Sequence, residues 1–201
     1  MSGTGVARPA EPAPEPRSRR LFFALWPDAA MRERLARAVR AAVHDCGGRP
    51  VPLEQWHLTL AFLGAVPAAR VAALAALARA AAHAAEVPEV GLELSLGSVV
   101  DWPQPHVRCV LPIEPPPALE RLARALADSL SAAGFVPELK PFHAHVTVAR
   151  KVTRPSESRR LPVVHWRFEH FALLESRTLP SRAVYSVVET YPLCSPAGPR
   201  K

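Results

Sequence analysis

The chain has 201 residues, 49% of them hydrophobic and 21% charged, with a formal net charge of +7. That length holds one sizeable domain or two small lobes, and the composition excludes collagen-like and wholly disordered chains. The three cysteines, Cys46, Cys109 and Cys194, lie far apart with no CxxC. They exclude a disulfide framework and a zinc ribbon and fit a reducing cytoplasm. The positive balance is compatible with a polyanionic partner.

Residues 1–19 are rich in Pro, Ala, Gly and Glu and read as a disordered tail. Ser18-Arg19-Arg20-Leu21-Phe22-Phe23 has the outline of a twin-arginine export signal. The apolar run after it stops at Pro27-Asp28, too short for such a signal, so Leu21 to Trp26 is read as a buried strand. Pro27-Asp28 opens a helix with Leu35, Val39 and Val43 at helical spacing, closed by Gly47-Gly48. A second helix runs from Pro67 to Glu86, with His83 near its end as a favourable terminal charge. From Val90 the period changes to two, and Leu92, Leu94 and Leu96 mark an antiparallel strand whose hairpin partner is Val107 to Ile113. Pro115-Pro116-Pro117 opens a third helix, striped by Leu119, Leu122, Leu126 and Leu130 and closed by Gly134. Residues 152–162 read as a polar, Arg-rich loop. Strands at about 164–175 and 184–191 complete a single domain over residues 20–194, and residues 195–201 form a flexible tail. No apolar run is long enough for a membrane span.

Two segments share one pattern, His57-Leu58-Thr59-Leu60 and His145-Val146-Thr147-Val148. On a strand, successive side chains point to opposite faces, so each segment puts His and Thr together and its apolar residues behind them. Two such strands facing one cleft supply two imidazoles and two hydroxyls. Opening a cyclic phosphodiester needs a base for water and an acid for the leaving oxygen, and imidazole titrates near neutral pH. The hydroxyls can donate to phosphate oxygens, and neither a metal nor another cofactor is needed. Arg150, just past the second motif, is a candidate cation for the transition state. Strict alternation points it away from His145, so a bend must bring it round. The order strand, helix, motif strand occurs twice, and the expected fold is α+β in two pseudo-symmetric lobes of mainly antiparallel sheet around a central cleft.

These features resemble the 2H phosphoesterase superfamily and, within it, the RNA 2′,3′-cyclic phosphodiesterase family, historically called 2′-5′ RNA ligase. The likeness rests on Arg20 to Leu25, Trp56 to Gly64, Pro141 to Arg150, Glu175 to Arg177 and Tyr185 to Leu193. It implies a bilobal fold and metal-free conversion of RNA 2′,3′-cyclic ends to 2′-phosphates, with reversible 2′-5′ joining of tRNA halves as a side activity. It also implies His57, Thr59, His145 and Thr147 as the catalytic and phosphate-binding set. His145 is expected as the base and His57 as the acid, a polarity that the sequence leaves open. The family usually has Arg-Pro before the second His, where this chain has His143-Ala144, and often an aromatic residue near Cys109.

His143 is a candidate substrate contact at the cleft rim, because a metal at His143 and His145 lacks a nearby Cys, Asp or Glu ligand. Phe142 is a candidate for stacking on a base as well as for the core. Arg154, Arg159 and Arg160 are read as solvated, His106 as a loop residue, and His165 and His170 as structural. The expected partners are RNA with 2′,3′-cyclic ends or small cyclic nucleotides, with no membrane, and the protein is expected to be a monomer. Two alternatives stay open: a phosphoesterase for small cyclic nucleotides or an ADP-ribose cyclic phosphate, and a non-catalytic RNA- or nucleotide-binding module.

Overall fold

A computed structural model describes residues 18–88, 91–137, 141–179 and 183–193. The expected tails, apart from Ser18 and Arg19, and Cys194 lie outside these residues. The chain begins with strand β1 (Ser18–Leu25), helix α1 (Ala29–His44), the two-residue strand β2 (Arg49–Pro50), strand β3 (Leu58–Pro67) and helix α2 (Val71–Ala84). The hairpin of β4 (Leu92–Trp102) and β5 (Val107–Pro112) follows, then helix α3 (Pro117–Ala132), β6 (Val146–Arg150), β7 (Arg159–Phe168), β8 (His170–Thr178) and β9 (Ala183–Pro192). All strand pairs are antiparallel, in one sheet of order β3-β1-β8-β9 and a second of order β2-β6-β5-β4-β7. The expected α+β architecture of two lobes is the architecture found.

Local chemistry sets the helix ends. The Asp28 carboxylate accepts from the Met31 N–H at 2.6 Å and caps α1. Pro117 occupies the first turn of α3, where its missing N–H costs nothing. At the other end Gly134 has φ of +73°, and the Phe135 N–H closes on the Leu130 carbonyl at 2.9 Å.

The helices cross between lobes. Helix α1 packs against β7 of the second sheet, whereas α2 packs against α3 and β9, and α3 also meets β3 of the first sheet. One continuous core therefore joins the lobes, built around Leu21, Phe23 and Leu25 from β1, Leu94 and Leu96 from β4, and Leu119, Leu122 and Leu126 from α3. The alternate residues of β1 serve the opposite face. Phe22 and Ala24 form a smaller cluster with Ala172 and Leu174, flanked by Trp26, Phe62 and Tyr185.

One expected strand is two. The stretch read as 164–175 breaks at Glu169 into β7 and β8, which belong to different sheets. Around Trp166 burial alternates, as on a strand with one wet face, whereas Phe171 to Glu175 is buried throughout because β8 lies between β1 and β9. The polar loop ends earlier than expected, at Ser158, and β1 starts earlier, at Ser18.

Candidate active site

Each His-x-Thr motif begins at the threshold of a strand. His57 immediately precedes β3, an edge strand of the first sheet, and His145 immediately precedes β6 of the second. Behind the motifs Leu58, Leu60, Val146 and Val148 are buried, while His57, Thr59, His145 and Thr147 are partly open, as the alternation requires. Strands β3 and β6 meet, which brings the two motifs to one cleft between the sheets.

The cleft comprises two cavities of about 730 and about 780 Å³ that share Thr59, Phe62 and Pro137 in their walls. Either is large enough for a nucleotide. His57, Arg20, Arg150 and Tyr185 line the first, and His145, His143, Phe142, Trp102 and Arg124 line the second.

The histidines are held in matching ways. His57 Nδ1 donates to the carbonyl of Gln55 at 2.6 Å, and His145 Nδ1 donates to the carbonyl of His143 at 2.7 Å. A ring nitrogen bonded to a backbone carbonyl must carry the proton, so in both neutral rings Nε2 is the basic nitrogen left for chemistry. The carbonyl two residues back performs the same task in both lobes.

A second correspondence explains Arg150. On β6, Thr147 pairs with Cys109 and Ala149 with Arg108, so Val148 is an extra residue and the strand bulges there. On β3, Thr59 pairs with Ala24 and Ala61 with Phe23, so Leu60 is the extra residue at the equivalent place. A bulge inverts the alternation beyond it. Phe62 and Arg150, each five residues past its histidine, are thereby turned into the cleft. This is the bend that the sequence required for Arg150, and one lobe carries an aromatic ring where the other carries a cation.

Aromatic rings surround both imidazoles. Phe22, Tyr185 and Trp26 have ring centroids 5.0, 5.2 and 6.1 Å from that of His57. Trp102 lies 4.5 Å from His145 and 6.4 Å from His143. Burial among these rings lowers the pKa of His57 to about 4, assisted by the positive charges of Arg150 and His145, against the Gln55 hydrogen bond. Burial also lowers the pKa of His145, with help from His143 and Arg150. Both rings are neutral near neutral pH. The Cys109 thiol, pushed up to about 12 by burial, stays protonated and lies 3.8 Å from the Thr147 hydroxyl.

His57 has a consequence for stability. Its folded pKa lies below the ordinary value near 6.5, so below that value the unfolded chain binds more protons than the folded one. Stability therefore falls as pH drops from about 6.5 towards about 4. Denaturant unfolding at pH 7 and pH 4.5 should show this loss, and His57→Gln should reduce it. An unchanged loss in the variant contradicts the assignment.

The other sequence candidates divide. His143 is exposed at the rim beside Trp102, and Phe142 both lines the cleft and packs on the core. His165 is exposed and within hydrogen-bond distance of Ser95 and Glu93, His106 sits in the exposed turn between β4 and β5, and Arg154, Arg159 and Arg160 are exposed. Among the described residues no three His, Cys, Asp or Glu side chains gather as a metal site, and no helix is long and apolar enough to cross a membrane. Sequence reading passed over Trp102, Tyr185, Trp26 and Arg20 as site residues. Only Phe22 carried a signal, since alternation sets it opposite the core residue Phe23.

A two-sheet α+β fold with a His-x-Thr strand from each sheet at one cleft is the arrangement of the 2H phosphoesterase superfamily. The model of the LigT-like phosphoesterases matches residues 25–95 and 111–185, and the chain belongs to that family. It is 30% identical to the RNA 2′,3′-cyclic phosphodiesterase of Escherichia coli K12, over 87% of this chain and 96% of that protein. It is 32% identical to the enzyme of the same name from Thermus thermophilus, over 87% of this chain and 90% of that protein. The crystal structure of E. coli LigT complexed with 3′-AMP superimposes with a TM-score of 0.77 at 29% identity, covering 89% of this chain and 99% of that one.

Proposed function

We propose that this protein opens RNA 2′,3′-cyclic phosphates to 2′-phosphates, with His57 and His145 as acid and base. The observation that carries the reading is the matched pair of Nδ1–H bonds to backbone carbonyls, which leaves two Nε2 atoms for one cleft. In this reading the cyclic phosphate lies between the motifs. His145 takes a proton from water as the water oxygen bonds to phosphorus. The bond from phosphorus to O3′ breaks, and protonated His57 delivers its proton to O3′. The products are a 2′-phosphate and a free 3′-hydroxyl. Thr59 and Thr147 donate to the non-bridging oxygens, and Arg150 offsets charge developing on them. Both rings have lowered pKa values, and the negative charge of the phosphate favours uptake of the one proton needed. The RNA relatives named above and the cations Arg20, Arg124 and Arg150 in the cleft walls support a nucleic-acid end as substrate.

An oligoribonucleotide ending in a 2′,3′-cyclic phosphate, incubated with the protein in EDTA, should give the 2′-phosphate alone. Absence of turnover, or loss of turnover on adding EDTA, contradicts the proposal. Turnover of cyclic mononucleotides without oligomers moves the activity to small nucleotides. Joining to a 5′-hydroxyl end, in which that hydroxyl attacks phosphorus in place of water and O3′ again leaves, should need the same two histidines.

A further inference from the structure

Trp102 stands at the end of β4 between two cavities. It lines the cleft of His143 and His145. It also lines a separate cavity of about 610 Å³ with Pro103, Pro105, His106, Lys151 and Val152. We infer that this outer cavity receives the nucleotide preceding the cyclic-phosphate end, so that the RNA passes over Trp102 and is read two nucleotides deep. The inference rests on the function proposed above and adds a substrate length to it.

Four observations support it. The cavity and the cleft share the Trp102 indole in their walls, and aromatic rings serve the bases of a single strand as stacking platforms. Its walls are mainly apolar, with Trp102, three prolines and Val152 offering apolar surface. Its acidic member, Asp101, is already occupied, with Arg108 on both carboxylate oxygens and the Ser156 N–H donating at 2.7 Å. Its rim carries Lys151, exposed and suited to a phosphate.

The backbone is also unusual there. His106 and Lys151 have φ of +62° and +55°, a region that side chains other than glycine rarely adopt. The Val152 N–H donates to the His106 carbonyl at 3.0 Å and ties the hairpin tip to the turn after β6. Such conformations cluster at ligand-binding segments. Here they set Lys151 and His106 on one rim.

The test is equilibrium binding of two reaction products, a nucleoside 2′-phosphate and the dinucleotide ending in the same 2′-phosphate. Stacking of one further base is worth about tenfold in affinity. The wild-type protein should bind the dinucleotide about tenfold more tightly. Pro103→Glu and Lys151→Gln should abolish most of that difference and leave mononucleotide binding unchanged. Equal affinity of the two ligands for the wild-type protein overturns the inference, as does an undiminished preference in both variants. Equal weakening of both ligands also overturns it. Failure to hydrolyse cyclic phosphates would refute the proposed activity, and the binding comparison would still decide this one.

Discussion

Replacing either His57 or His145 with alanine should lower kcat by about a hundred- to ten-thousand-fold, the usual worth of one proton-transfer group. The double variant should be little worse than either single one, since base and acid act in one step and lose their effect together. Folding should survive, because both rings lie at a solvent-accessible cleft and the core beneath them is supplied by Leu58, Leu60, Val146 and Val148. The polarity can be read from the same variants. A substrate with sulfur in place of O3′ has a leaving group that needs no proton. It should restore His57→Ala and leave His145→Ala inactive. The opposite pattern would exchange the two roles.

The second large effect is on stability. Arg108 and Asp101 face each other across the β4–β5 hairpin, with side chains only 1% and 6% exposed. Arg108 Nε donates to Asp101 Oδ1 at 2.7 Å, and its Nη atoms reach Asp101 Oδ2, the Ala42 carbonyl at the end of α1 and the Ser156 hydroxyl. One guanidinium thus joins the hairpin to α1 and to the loop before β7. Arg108→Met leaves the Asp101 carboxylate buried without its partner and should cost about 3–5 kcal/mol in denaturant unfolding. Adding Asp101→Leu should recover part of that loss, because the stranded charge is then gone. Failure of the second substitution to recover anything would show that the bonds to Ala42 and Ser156, rather than the unpaired charge, dominate the cost. Hydrogen bonding to Arg108 holds the Asp101 carboxyl below its ordinary value near 3.8. The pair's contribution is therefore present above that value and is lost as pH falls below it.

These two sites mark how far the sequence could be read. The motif histidines and threonines were legible because a period of two is a direct statement about faces, and apolar residues at helical spacing located the three helices in the same way. The bulges at Leu60 and Val148 were not, since an extra residue on one strand is defined only by its partner. Arg150 was therefore a candidate without a geometry. The boundary at Glu169 was hidden because Phe168 and Phe171 carry apolar residues on across it, and only the change from alternating to continuous burial separates β7 from β8. Trp102 and the Arg108–Asp101 pair depend on where a hairpin lies in space, which spacing along the chain does not encode.

The matched geometry of the two lobes goes further than the tetrapeptides. Each histidine is preceded by the carbonyl that fixes its tautomer and followed by a bulge that turns a fifth residue inward. The lobes then diverge, with Phe62 at that place in one and Arg150 in the other. Symmetry accounts for having two imidazoles, and the departure from it places a cation on one side of the cleft.

The central claim is that water opens the cyclic phosphate by transfer of protons through two histidines. Turnover of a cyclic-phosphate-ended oligoribonucleotide in ¹⁸O-labelled water with EDTA tests it most directly. The account predicts a 2′-phosphate carrying one labelled oxygen from the wild-type protein, and almost none from His57→Ala or His145→Ala. A 3′-phosphate, an unlabelled product, or full turnover by either variant would contradict it.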